Sequence, residues 1–114
     1  MSLLLPELLC PAGDEAALRA AVDSGANAVY LGYRGFGARG SAVNFDAEAL
    51  EAAVRYAHLY HVRVYVTVNT LVKPGEMQDL RAALGEITAT GADAAIVQDL
   101  GVAAMVRREF PALA

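Results

Sequence analysis

The chain repeats itself: Ser24-Gly25-Ala26-Asn27-Ala28-Val29-Tyr30-Leu31-Gly32 is echoed by Thr90-Gly91-Ala92-Asp93-Ala94-Ala95-Ile96-Val97-Gln98. In both copies a run with helical apolar spacing stops at a glycine, a short Ala-Asx step follows, and an aliphatic run begins. A glycine just past a helix closes the last turn in the left-handed conformation without a Cβ penalty. A near-continuous apolar strand belongs in a sheet covered on both faces. The repeat therefore predicts stacked βα units.

The remaining segments keep the same order. Glu7 to Cys10 reads as a first strand and Val62 to Val68 as a third, rich in β-branched residues that favour an extended chain. Asp14 to Ser24, Asp46 to Tyr60 and Gly75 to Thr90 read as helices, the last with Met77, Leu80, Leu84 and Ile87 along one stripe. Asp14 and Asp46 suit N-cap positions, and Phe45 is placed to staple onto Leu50. A fourth helix runs from Leu100 to Phe110 and stops at Pro111. Strand then helix, four times, requires right-handed crossovers and parallel strands.

Length then sets the architecture. Eight such units close a barrel of about 250 residues, and 114 residues hold four. The expected fold class is α/β, the first four βα units of a TIM-like (β/α)8 barrel, with a small open sheet as the alternative. Residues 1–114 are expected to form one partial domain with no internal boundary. Half a barrel leaves two strand edges and one sheet face uncovered. With 56% hydrophobic residues and a mean hydropathy of +0.36, the chain is apolar for its size. It is expected to be part of a longer protein, or, taken alone, a homo-oligomer that buries the open half.

Composition excludes some function classes. The formal net charge is −4 and the nine basic residues are scattered, so this portion carries no electrostatic footprint for nucleic acid. A single cysteine, Cys10, forbids an internal disulfide and cannot hold a metal alone. It reads as a small buried apolar residue more readily than as a nucleophile. No apolar run approaches membrane length, and a cytoplasmic location is the expectation.

In parallel α/β folds chemistry gathers where strands end and βα loops begin. Asn69, Gln98 and Asp99 are polar residues following apolar strands and would converge on one mouth, while Asp99 is equally suited to cap the next helix. The long segment Gly32 to Phe45 contains Gly35-x-Gly37-x-x-Gly40, a formal dinucleotide fingerprint in the wrong context. No helix follows directly, and the next strand ends in Val68-Asn69, not in an acid. The glycines suit a mobile lid, with Arg34 or Arg39 offering a donor fork to a carboxylate or phosphate. His58 and His61 stand three apart but fall at the wrong end of the fold for the mouth, so neither a metal pair nor a Ser-His-Asp set is expected. Glu7, an acid at the start of a buried strand, needs a partner or a polar cavity. An ion pair is favoured over catalysis.

Several motifs together carry a resemblance. Glu7-Leu8-Leu9-Cys10-Pro11-Ala12-Gly13-Asp14, Gly25-Ala26-Asn27-Ala28-Val29-Tyr30-Leu31-Gly32, Phe36-Gly37-Ala38-Arg39, Asn44-Phe45, Val64 to Leu71 and Ile96 to Gly101 resemble the amino-terminal part of the collagenase-like peptidases, family U32. The resemblance implies a TIM-like barrel and a peptidase acting on peptide bonds, with unassigned catalytic residues. It equally implies kinship with proteins of that family linked to hydroxylation of ribosomal or transfer RNA and of ubiquinone precursors, where an iron-sulfur cluster held by cysteines takes part. The family's signature segment and cysteine cluster lie downstream of the matched part, so no catalytic residue, metal ligand or cofactor-binding residue carries over; a cluster is expected only in the full-length protein. Glu7, Tyr30, Arg39, Asn44, Asn69, Gln98 and Asp99 are the motif positions that the resemblance implies as substrate lining.

Overall fold

The computed structural model describes residues 6–33, 45–68, 77–97 and 99–113. Strands and helices alternate through it: β1 (Leu9–Pro11), α1 (Glu15–Asp23), β2 (Ala28–Gly32), α2 (Ala47–Leu59), β3 (Arg63–Val68), α3 (Met77–Ala89), β4 (Ala94–Val97) and α4 (Leu100–Glu109). The four strands form one parallel sheet in the order β1-β2-β3-β4. Sequential order with right-handed crossovers places every helix on the same side. The expected α/β class and parallel pairing are thus observed. The first strand differs from expectation: it begins at Leu9, and Glu7 precedes it.

Alternation along β3 identifies the two faces. Val64, Val66 and Val68 point at the helices and are buried to within 1% exposure, whereas Arg63, Tyr65 and Thr67 on the opposite face are not buried. On the helix side, Leu18 of α1, Leu50 and Ala57 of α2, Leu80, Leu84 and Ile87 of α3, and Met105 of α4 complete one continuous core with Val29 and Leu31 of β2. Each large side chain buried this way contributes about 1.5–3 kcal/mol relative to exposure.

Local rules explain the ends of the elements. Asp14, Asp46 and Asp99 are N-caps: Asp14 Oδ1 accepts from Ala17 N and Asp46 Oδ1 from Ala49 N, each at 2.8 Å, while Asp99 Oδ1 accepts from Gly101 N at 2.7 Å. Among the described residues the left-handed helix stops are three, not two. Gly25 and Gly91 have φ of 91° and 87°, and His61, at the corresponding place after α2, has φ of 60°. Ala26 N and Val62 N reach back to Ala21 O and Ala57 O at 3.1 and 2.9 Å, the same closing hydrogen bond in both turns.

The Asx residue of each sequence copy then fixes the neighbouring strand. Asn27 N donates to Leu8 O at 2.9 Å while Asn27 Oδ1 accepts from Leu8 N at 2.7 Å. Asp93 does the same to Val64, donating to its O at 2.9 Å and accepting from its N at 2.8 Å through Oδ2. The repeat thus supplies an acceptor for a backbone N–H at the amino edge of the sheet, where the ladder has none left to offer. No helix among the described residues is long and apolar enough to cross a membrane.

Candidate functional site

The face of the sheet away from the helices is laid out in transverse rows by the strand register. Leu9, Ala28 and Arg63 form the row nearest the amino end; Pro11, Tyr30, Tyr65 and Ala94 form the next; Gly32, Thr67 and Ile96 lie toward the carboxyl rim. Leu9 and Ile96 are 40% and 36% exposed, and Tyr30 and Tyr65 are half-buried side by side in adjacent strands. Two phenol rings with aliphatic flanks make a floor suited to a planar group.

Glu7 occupies the amino end of this face. Its Oε1 accepts from Arg63 Nη2 at 2.6 Å and from the Tyr65 hydroxyl at 2.7 Å, so one carboxylate reaches from the chain before β1 across β2 to β3. The hydrogen bond to Glu7, followed by partial desolvation, pushes the Tyr65 phenol above its ordinary range. Arg63 is thereby neutralised by a partner of its own chain. Glu7 stands opposite the rim where strands end.

At the carboxyl rim the described residues are fewer. Asp99 is half-exposed and spends its Oδ1 on the first turn of α4, which is the capping role read from its position. Thr67 Oγ1 donates to Leu31 O at 3.2 Å, tying β3 to β2. The lining candidates Arg39, Asn44, Asn69 and Gln98, and the Gly35-x-Gly37-x-x-Gly40 segment, lie outside the described residues. Among the described residues, Tyr33 and Phe45 form a parallel bridge, and Phe45 N donates to Gly32 O at 3.0 Å.

Tyr33 is the residue that sequence reasoning missed. Its ring is buried, its hydroxyl donates to Glu86 of α3, and burial together with that carboxylate pushes the phenol up to about 12. Alternation carried past Gly32 was the available signal, because Val29, Leu31 and Tyr33 share the helix-facing parity of β2. His58, in the last turn of α2, and His61, just past it, are placed at the amino end of the sheet. His58 Nε2 meets Asp93 Oδ2 at 2.8 Å, and among the described residues no three His, Cys, Asp or Glu side chains come together as a metal site. Cys10 is half-buried and free, on the helix-facing parity of β1 beside Val29.

Comparison with known proteins sets this architecture in context. The 23S rRNA 5-hydroxycytidine C2501 synthase of Escherichia coli (strain K12) is 43% identical over 96 residues, covering 84% of this chain and 14% of its own length. The tRNA hydroxylation protein P1 of Bacillus subtilis (strain 168) is 37% identical over 109 residues, covering 93% of this chain and 25% of its own length. The chain therefore spans between a seventh and a quarter of these relatives. A solved U32 peptidase structure superimposes with a TM-score of 0.74 at 14% identity, over 96% of this chain and 47% of that one, a likeness of fold. The model of peptidase family U32 matches residues 13–114. The chain belongs to peptidase family U32.

Proposed function

We propose that this chain supplies the first four βα units of a TIM-like (β/α)8 barrel in a protein that hydroxylates RNA, its open sheet face and carboxyl rim forming half of the substrate cavity. The observation that carries this reading is the chemistry of the described half-site. Two tyrosines and an internally neutralised arginine line the face, and both histidines stand at its amino end, away from the carboxyl rim. Peptide hydrolysis needs an activated nucleophile and a base within hydrogen-bond reach of each other, and among the described residues the carboxyl rim brings no such pair together. A planar base resting on an aromatic floor, with the hard chemistry done elsewhere, suits what is present. The 43% identical relative, an rRNA 5-hydroxycytidine synthase, supports the same reading. The names of the family and of the solved U32 peptidase support a peptidase as the second reading.

An iron-sulfur cluster, implied by kinship with the hydroxylation proteins, does not fit the residues described. Cys10 is their one cysteine, and it sits on the helix-facing side of β1. The cluster's ligands would belong to the remainder of the full-length protein, and no step is routed through them. Tyr30 is the lining residue proposed for the face, with Arg39, Asn44, Asn69, Gln98 and Asp99 proposed for the rim. Glu7 is proposed as the group that orients Tyr65.

The test is nucleoside mass spectrometry of ribosomal and transfer RNA from cells lacking the full-length protein. A hydroxylated nucleoside should disappear, return with the wild-type protein, and stay reduced with Asn69→Ala at unchanged melting temperature. An unaltered nucleoside profile overturns the proposal, and cleavage of gelatin by the purified full-length protein would then install the peptidase reading.

A further inference from the structure

We propose that the groove between α1 and α2 is a docking site for a basic amphipathic helix of a partner protein. Helix α2 carries two apolar stripes. Leu50, Ala53, Val54 and Ala57 are buried in the core, whereas Ala49, Ala52, Tyr56 and Leu59 recur at spacings of three, four and three residues on a flank that is exposed or half-buried. That is the a/d rhythm by which one helix receives another. Tyr60 widens the stripe at its end, its ring 5.3 Å from that of Tyr56, and Leu59 and Tyr60 are 72% and 58% exposed.

Beside this stripe the two helices do not close on each other. A groove of about 280 Å³ lies between them, with Leu18 of α1, Phe45, and Ala49, Ala52 and Tyr56 of α2 among its walls. The alanines keep it open, and Arg19 of α1 lies over the Tyr56 ring, 4.8 Å from its centre. From Ala49 to Leu59 the stripe runs about 15 Å at 1.5 Å per residue, which suits an occupant of three to four turns. Further strands of a barrel would join at the edge strands β1 and β4, and a groove between the consecutive helices α1 and α2 lies away from both seams.

Charge selects the occupant. Arg19 is paired with Glu15 at 3.0 Å and Arg55 with Glu51 at 2.8 Å, so both cations of these two helices are already neutralised. Asp23 on α1 and Glu48 on α2 have no cationic partner among the described residues. Asp14 and Asp46 add carboxylates at the helix starts. The helix pair is therefore anionic, which repels the phosphates of RNA and of anionic lipid and attracts lysine or arginine. An apolar seam framed by carboxylates fits a helix with leucines or aromatic residues on one face and basic residues beside them.

Fluorescence anisotropy of the full-length protein with a labelled helical peptide of about four turns, leucine at its a and d positions and lysine elsewhere, tests this independently of any RNA chemistry. Binding on the order of tens of micromolar is expected, weakening as ionic strength rises. The same peptide with glutamate in place of lysine should bind about tenfold more weakly or worse. Leu59→Ser and Ala52→Gln, both at exposed positions, should each weaken binding by about fivefold to tenfold at unchanged melting temperature. Leu100→Ser, at an 87% exposed position on α4, should leave it unchanged. Equal binding of the glutamate peptide, an equal loss with Leu100→Ser, or wild-type affinity in both groove variants overturns the proposal. Absence of binding does so too, including the case in which a later part of the same polypeptide already fills the groove.

Discussion

His61 carries the clearest residue-scale consequence. It holds the left-handed conformation at the end of α2 that Gly25 and Gly91 hold after α1 and α3, and it does so with a Cβ. A non-glycine residue there is strained by about 1–2 kcal/mol, offset in part by the greater unfolded-state freedom of glycine. His61→Gly is therefore expected to raise the stability of the chain by about 0.5–1 kcal/mol in urea denaturation. Gly25→Val works in reverse. No atom lies within 4 Å of the Cβ it would introduce, so its cost, more than about 1 kcal/mol, would come from φ alone. Equal stability of wild type and His61→Gly would mean that the His61 conformation is relieved by contacts of its side chain.

At the scale of elements, the tie between β2 and α3 is a phenol and a carboxylate. Burial and Glu86 raise the Tyr33 phenol from its ordinary 10 to about 12, so the neutral, donating form is the one the fold favours. A raised pKa contributes stability that is complete below pH 10 and is lost as pH climbs through about 12. Tyrosinate absorbance should accordingly show a step near pH 12 in the wild type and lose that step in Tyr33→Phe. Caps behave more simply: Asp46→Ala removes the acceptor for Ala49 N and should cost about 1 kcal/mol with no change in sheet pairing by circular dichroism. The elements were legible because each is written locally. Periodicity, three capping aspartates and two glycine stops specify where helices begin and end. The third stop was hidden because His61 stands where the pattern asks for glycine, and Tyr33 because its partner is 53 residues away. Of the candidate site, position along the strands was readable, since the end of each apolar run marks a rim. Which polar side chains pair was not, as with Glu7, whose two donors lie 56 and 58 residues downstream and meet it only through the sheet.

For the molecule as a whole, the open face has to be held in shape before anything can lie on it, and β1 is its weakest member. It has three residues, sits at an edge, and pairs only with β2 among the described strands. Glu7 adds a strap that passes β2 altogether and fastens to Arg63 and Tyr65 of β3. Because Glu7 and Arg63 are partly exposed, at 34% and 56%, the pair should contribute less than about 1 kcal/mol to global stability. Its effect belongs instead to local opening, where an edge strand can detach without the core following. Glu7→Ala is expected to speed hydrogen exchange of the Ala12 amide, which bonds to Tyr30 O across the β1–β2 seam, while the Val64 to Val68 amides of β3 keep their protection. Uniform loss of protection in β1 and β3 would make Glu7 a contributor to the whole fold, and unchanged exchange at Ala12 would leave the two hydrogen bonds without mechanical consequence. The expected pattern, loosening confined to β1, would place the rigidity of the Tyr30 and Tyr65 floor in a single carboxylate reaching over the sheet from its amino end.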